Sequence, residues 1–178
     1  MTDKALQSGI APVYDHVDSD KIPLHSEILP GLWLGGTDDY DTLQDGVTYH
    51  DMLYKHRDIT KDDYDVVITL YAHARPVDWE VEELRYGFYD AELKHVDFAK
   101  LGRAVDYAHA AWKHGKRVLI RCQAGLNRSG LTMALLLVKE GYAPVDAITL
   151  MRNKRTGFVL CNRSFEGYIL DLETNDKE

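Results

Sequence analysis

Cys122 and Arg128 stand six positions apart in the second half of the chain, and together they could bind and attack a phosphate group. If the residues between them form a tight loop that opens a helix, several backbone N–H groups turn inward and create a cradle for an anion. Gly125 allows the backbone conformation that such a loop requires, and the guanidinium of Arg128 can bind two oxygens of one phosphate. A thiol in such positive surroundings ionises readily, and a thiolate beneath a phosphoryl group is a nucleophile for its transfer.

Hydrophobic patterns on either side of this segment predict the elements that must position it. An apolar strand is predicted at 117–120, running directly into Cys122, and a buried helix is predicted at 131–140. A hairpin-like strand segment is predicted at 28–36, further strands at 65–70 and 84–89, and further helices at 97–114, from Ala143 onward and after Asn162. The alternation of helices with hydrophobic strands predicts an α/β sandwich.

Length and composition indicate one globular domain, since the chain has 178 residues of which 45% are hydrophobic and 28% charged. We divide it into an N-terminal arm, residues 1–26, and a single domain, residues 27–178. Within that domain the acidic segment 37–63 is interpreted as an insertion or lid, with a helix at 49–56 as one interpretation of part of it. No apolar run approaches the roughly 20 residues that a membrane-spanning helix needs.

The cysteine content and the charge exclude several further classes of protein. Two cysteines do not make a disulfide scaffold and favour a reducing compartment, and no secretory signal is visible, so we expect a cytoplasmic protein. The net charge is −8 and no broad basic stripe occurs, so we expect neither a nucleic acid nor a membrane as a partner. The eight histidines lack metal-ligand spacing, so we expect no metal and no cofactor.

Nine consecutive residues resemble the Cys-x5-Arg-Ser/Thr signature of the cysteine-dependent protein phosphatases, most of all their dual-specificity branch: Cys122, Gln123, Ala124, Gly125, Leu126, Asn127, Arg128, Ser129 and Gly130. The likeness extends from about Glu27 to Leu172. It includes the opening strand at 28–35 and a late loop around Asn162. The resemblance implies the fold of that family, a central mixed sheet flanked by helices.

The resemblance also implies a role for each residue of the signature. Cys122 attacks phosphorus and forms a phosphocysteine, Arg128 binds the phosphate and stabilises the transition state, and Ser129 hydrogen-bonds the sulfur. The substrate phosphate is bound by the loop residues Gln123, Ala124, Gly125, Leu126, Asn127 and Arg128. No metal is required, because Arg128 and the loop amides neutralise the phosphate.

Asp90 occupies the position of the family's general acid, 32 residues before Cys122. It would protonate the leaving oxygen and then deprotonate the attacking water. Its rival, Asp97, is better explained as the N-cap of the long helix. Asn162 is either a support of the site, as the resemblance implies, or simply a helix cap.

Arg121 departs from the family pattern, which has His before the cysteine. Two interpretations are open: the side chain adds positive potential near the sulfur, or it packs beside the strand with its charge in solvent. Two interpretations are also open for the late basic residues Arg152, Lys154, Arg155 and Arg163: they are a solvated face, or they attract acidic phosphopeptides.

The most favoured substrate is a phosphorylated protein or peptide, with phosphate on tyrosine, serine or threonine. Gln123 and Leu126 are uncharged, which argues against an inositide phosphate. Two alternatives remain. One is an enzyme like the RNA 5′-triphosphatases, whose loop is similar to residues 125–130, and the other is a catalytically silent phosphopeptide-binding module. The sequence leaves the oligomeric state open.

Overall fold

The computed structural model describes residues 22–37 and 58–175. The first 21 residues of the predicted arm lie outside the described residues, as do the predicted helix at 49–56 and most of the acidic segment. The described chain forms a sheet of five strands, with helices following in the second half.

The sheet is mixed, as predicted. Its strands are β1 (His25–Leu29), β2 (Leu32–Gly35), β3 (Val66–Thr69), β4 (Glu82–Arg85) and β5 (Val118–Arg121). They are ordered β1-β2-β5-β3-β4, and β1 pairs antiparallel with β2 while every other neighbouring pair is parallel. The carboxyl ends of four strands therefore meet at one edge of the sheet, where ligands of open α/β sheets usually bind.

Four α-helices follow within the part of the chain that the structure describes. They are α1 (Phe98–Lys113), α2 (Arg128–Glu140), α3 (Pro144–Lys154) and α4 (Arg163–Asn175), and a short 3-10 turn spans Leu93–His95. Asp97 caps α1, because its carboxylate accepts a hydrogen bond of 3.0 Å from the backbone N–H of Lys100. None of the helices in the described ranges is long and apolar enough to cross a membrane.

The two faces of the sheet bury different sets of residues. The helices pack on one face and form the main core with alternate strand residues, among them Ile120. The other face carries a smaller cluster of buried side chains: Tyr64, Val67, Val81 and Leu119. Because successive strand residues point to opposite faces, Cys122 continues the face of Ile120, whereas Arg121 shares the face of Leu119.

Strand β4 differs most from the sequence prediction, since it spans 82–85 rather than 84–89. In the ladder between β3 and β4, Val66 pairs with Glu82 and Thr69 pairs with Arg85. The four residues of β3 therefore limit the length of β4. The apolar alternation of Tyr86 and Phe88 has another cause: both side chains pack on the main core after the chain has left the sheet. Residues 86–90 therefore form a connection that runs past the carboxyl edge.

Two other boundaries shift for local reasons. Strand β1 begins at His25, so two residues that we assigned to the arm belong to the sheet. Helix α2 begins at Arg128 rather than at 131, because the last residues of the signature form its first turn. Residues 58–63, at the end of the acidic segment, include a turn in which the side chain of Asp63 accepts a hydrogen bond from Thr60 N–H.

Candidate active site

Residues 122–127, here called the anion loop, connect the end of β5 to the beginning of α2. Gly125 has a φ of +71°, in the left-handed region that favours glycine. A Cβ at this position would also lie 2.5 Å from the backbone nitrogen of Gly36, so the loop lies directly on the residues that follow β2. The conformational need for glycine was predicted from the sequence, and the structure adds that there is no space for a side chain.

Cys122 lies beneath the loop and is 2% exposed. Its Sγ is 3.1 Å from Oγ of Ser129, which is fully buried in the first turn of α2. The two residues meet because the loop returns the chain over the end of β5. A hydroxyl in this position can donate a hydrogen bond to a thiolate, which is the relationship that the resemblance implied.

Arg128 is buried, but its guanidinium is only partly engaged by the protein. Nη1 donates a 3.2 Å hydrogen bond to the carbonyl of Phe88, and the ring of Tyr71 lies 5.3 Å from the guanidinium carbon. Nε is buried and has no hydrogen-bond partner among the described residues. A buried donor without an acceptor is costly, and an oxyanion bound in the loop would supply that acceptor.

Asp90 lies at the surface beside the anion loop, five residues beyond the end of β4. Nδ2 of Asn127 donates to one carboxylate oxygen and Nδ2 of Asn162 donates to the other, both at 2.9 Å. Asn162 also donates to the carbonyl of Ala91, and its Oδ1 accepts from the N–H of Ser164 in the first turn of α4. The two interpretations of Asn162 are therefore compatible, since it caps a helix and holds Asp90.

Asn127 joins three segments, which the sequence analysis did not anticipate beyond its place in the loop. Besides its bond to Asp90, its Oδ1 accepts a 2.9 Å hydrogen bond from the backbone N–H of Asn162 and a longer one from Sγ of Cys161. Asn127 stands at the N-cap position of α2 but makes no side-chain capping bond. Its amide instead links the loop to the segments on both sides.

The remaining loop residues contribute mainly through their backbone. Gln123 accepts a hydrogen bond from Thr37 N–H, and the carbonyl of Leu126 accepts one from Leu160 N–H. Ala124 is exposed at the tip of the loop. These contacts tie the loop to its neighbours on two sides.

Arg155, at the end of α3, contacts the outer side of the loop. Nε donates 2.8 Å to the carbonyl of Gly125, and Nη2 donates 3.3 Å to the carbonyl of Ala124. In a trans peptide the C=O and the following N–H point in opposite directions. By holding these two carbonyls outward, Arg155 directs the N–H groups of Gly125 and Leu126 toward the cradle.

The contacts of Arg155 and Arg152 alter the expectation that the late basic residues attract substrate. Arg155 also donates to the carbonyl of Pro23, and Arg152 forms a 2.9 Å ion pair with Glu166. Both guanidinium groups are therefore engaged inside the fold. No pattern in the sequence identifies Arg155 as a loop contact, because its two partners in the anion loop are backbone carbonyls 30 and 31 positions away.

Arg121 fits neither of its two sequence interpretations. Its side chain is on the sheet face opposite Cys122 and is almost fully buried, so its charge is neither beside the sulfur nor in solvent. Nε donates to Oγ1 of Thr69 at 2.9 Å, and Nη2 forms an ion pair of 3.1 Å with Glu83.

Comparison of the sequence with family models identifies one catalytic domain. The model described as "Dual specificity phosphatase, catalytic domain" matches residues 67–175, more than half of the chain. A curated relative, dual specificity protein phosphatase 2 of Mus musculus, is 32% identical over 71 residues. That alignment covers 40% of this chain and 22% of the mouse protein, so the two share one segment and not their whole length.

Solved structures share the fold at low sequence identity. Human DUSP28 superposes with a TM-score of 0.65 at 18% identity, covering 88% of this chain and 97% of that chain. The human tyrosine phosphatase-like serine/threonine/tyrosine-interacting protein gives 0.60 at 19%, covering 86% and 98%. PTPMT1 in complex with PI(5)P gives 0.61 at 19%, covering 87% and 97%. These structures show a shared fold, and the family match over residues 67–175 shows that the chain belongs to the dual specificity phosphatase catalytic domain family.

Proposed function

We propose that this phosphatase hydrolyses phosphomonoesters of proteins, on tyrosine and on serine or threonine, through a phosphocysteine intermediate. The observation that carries the proposal is the unpartnered, buried Nε of Arg128 in the turn that also holds Ser129 against the Cys122 thiol. One small site thus combines a nucleophile, the thiol of Cys122, with an N–H group of Arg128 that is free to donate a hydrogen bond to an anion.

In the first step Sγ of Cys122 attacks phosphorus, so that an S–P bond forms and the P–O bond to the leaving group breaks. Arg128 and the loop amides bind the equatorial oxygens, where charge spreads in the transition state. Asp90 gives its proton to the leaving oxygen, because an alkoxide or phenoxide leaves poorly without one.

In the second step water attacks phosphorus, and Asp90, now a carboxylate, accepts a proton from it. The S–P bond breaks, the electron pair returns to Sγ, and the hydroxyl of Ser129 stabilises the thiolate by a hydrogen bond. The amide donors of Asn127 and Asn162 are suited to this carboxylate form of Asp90, since each offers N–H to a separate oxygen.

The absence of charged side chains at Gln123 and Leu126 supports a protein substrate over a more highly charged phosphate ester. An RNA 5′-triphosphatase-like activity is the second candidate, and the resemblance of residues 125–130 to the loop of those enzymes supports it. Against it stands Asp90, which is held beside the loop by two amides although that class generally lacks a general acid.

The decisive experiment compares the intact chain with Cys122→Ser on a phosphotyrosine peptide, a phosphothreonine peptide and 5′-triphosphorylated RNA. We expect turnover of the peptides, its loss in Cys122→Ser with retained peptide binding, inhibition by vanadate and none by EDTA. Rapid quenching with ³²P-labelled peptide should trap label on the intact chain and none on the variant.

Three results would overturn parts of the proposal. Turnover of the RNA alone would favour the triphosphatase. Peptide binding without turnover of any substrate would favour a binding module. Appreciable activity in Cys122→Ser, or activity that depends on a metal, would remove the phosphocysteine mechanism.

A further inference from the structure

On the sheet face away from Cys122, four polar side chains form what we call the Glu83 cluster: Thr69, Glu83, Arg85 and Arg121. Oε1 of Glu83 accepts three hydrogen bonds, from Oγ1 of Thr69 at 2.6 Å, Nη1 of Arg85 at 2.8 Å and Nη2 of Arg121 at 3.1 Å. The cluster therefore spans β3, β4 and β5 directly behind the anion loop.

The central ion pair is well buried, since the side chains of Arg121 and Glu83 are 6% and 11% exposed. Removing two charges from water is expensive, and apolar residues of similar size often stabilise a fold equally well. Stability alone is therefore a poor explanation for this pair. Its geometry offers a better one, because a planar guanidinium can orient several acceptors at once.

Both arginines of the cluster also bind the connection between β3 and β4. Nη2 of Arg121 donates 2.6 Å to the carbonyl of Arg75, and Nη2 of Arg85 donates 2.7 Å to the carbonyl of Ala74 and 3.3 Å to that of Ala72. Residues 72–75 lie outside any helix or strand, so their carbonyls lack the backbone partners that regular secondary structure provides. The two arginines supply hydrogen-bond donors to these carbonyls and so hold the connection in place.

Tyr71 directly precedes residues 72–75, and its half-buried ring lies 5.3 Å from the guanidinium carbon of Arg128. Residues 72–75 also lie against the segment that follows β4: a Cβ at Gly87 would be 2.7 Å from Cβ of Ala72. The next residue, Phe88, supplies the carbonyl that accepts from Nη1 of Arg128. Both contacts that hold Arg128 thus come from segments adjoining the Glu83 cluster.

We propose that Arg121 and Glu83 are positioning residues for Arg128, acting through the 72–75 connection and the ring of Tyr71. An arginine side chain loses conformational freedom when it binds an anion, and a cation–π contact that orients it beforehand reduces that cost. Arg121 therefore acts from the opposite face of the sheet on the phosphate ligand, and not on the sulfur. The proposal rests on the proposed function only in taking Arg128 as the phosphate ligand.

The test measures the affinity of the full chain for inorganic phosphate by calorimetric titration, which needs no turnover. We expect Arg121→Met and Tyr71→Leu each to weaken binding roughly 2- to 30-fold, the range that a cation–π contact spans. The double variant should be no weaker than the worse single variant, because both act through one contact. Tyr71→Phe, which keeps the ring, should restore most of the affinity that Tyr71→Leu loses.

Val81→Ala is the matched control, since Val81 is buried in the small cluster on the same face. It should lower the melting temperature and leave phosphate affinity unchanged. Wild-type affinity in Arg121→Met, or losses that add in the double variant, would overturn the proposal. If Arg121→Met does not fold, Glu83→Gln paired with Tyr71→Leu gives the same test of additivity. Phosphate binding without phosphatase turnover would contradict the proposed function alone.

Discussion

Nδ2 of Asn127 lies 2.9 Å from a carboxylate oxygen of Asp90, so the residue just before the phosphate-binding arginine holds the candidate general acid. The same side chain accepts a hydrogen bond from the backbone of Asn162. The side-chain amide of Asn127 therefore fixes the positions of Asp90 and of the late loop around Asn162 relative to the anion loop. Proton transfer depends steeply on such distances, which makes Asn127 a positioning residue with a measurable effect.

We expect Asn127→Ser to lower kcat on a phosphotyrosine peptide by roughly tenfold, because serine is too short to keep the bond to Asp90. KM should change little, since the phosphate ligands remain. A substrate whose leaving group needs no proton should lose much less. Equal losses on both substrates would show that Asn127 acts on phosphate binding instead, and steady-state kinetics on the two substrates distinguishes these cases.

Asp90→Asn should lower turnover of the same peptide by roughly 10²–10⁴ and affect an activated aryl phosphate less, because only the first needs a general acid. Asp97→Asn is the matched control: it removes the same charge at the cap of α1, where asparagine caps about as well as aspartate, and should have little kinetic effect. A larger kinetic loss in Asp97→Asn than in Asp90→Asn would mean that the acid has been assigned to the wrong carboxylate.

Arg155→Met should weaken phosphate affinity and turnover together for every substrate, by roughly 10-fold or more, because the loop amides lose their fixed direction. Lys154→Met is the matched control, because it removes one positive charge from the exposed neighbouring residue. We expect Lys154→Met to alter at most the salt dependence of KM for acidic peptides. If the two variants lowered phosphate affinity and turnover equally, Arg155 would act only by attracting the charged substrate and not by holding the loop.

Acid should destabilise the fold through Asp65 at the start of β3. The side chain of Arg117 donates to its carboxylate at 3.1 Å and, with the backbone N–H of Arg117, lowers the pKa of Asp65 to about 2. A carboxyl whose pKa is lower in the folded state contributes stability above its unfolded pKa of about 3.9 and loses it as the pH falls toward 2.

We therefore expect Asp65→Asn to be less stable than wild type at pH 6 by on the order of 1 kcal/mol, after solvent screening, and nearly equal to it at pH 2. Urea unfolding between pH 2 and 6 measures this convergence. Glu80→Gln, which removes an exposed carboxylate elsewhere, serves as the control. A constant difference between Asp65→Asn and wild type across that range would contradict the assignment.

The sequence by itself determined the strand, anion loop and helix around Cys122, because their signals are local. Apolar runs on either side of the loop, the glycine at position 125 and the spacing to Arg128 all lie within about 20 residues of one another. The same holds for the cap at Asp97, which depends on a residue only three positions away. Residues that are this close along the chain are also close in space, so local patterns in the sequence are enough to predict these features.

Only the tertiary structure decided which distant side chains meet. Alternation along β5 predicts that Arg121 and Cys122 face opposite ways, but the pairing of β5 with β3, and of β3 with β4, brings Thr69 and Glu83 to Arg121. Likewise, Asn127 meets Asp90, 37 positions away in the sequence, because the connection 86–90 and the anion loop lie side by side at the carboxyl edge of the sheet. The physical reason is that hydrogen bonds and ion pairs act over a few ångströms, while the sequence specifies the neighbours of a residue only along the chain.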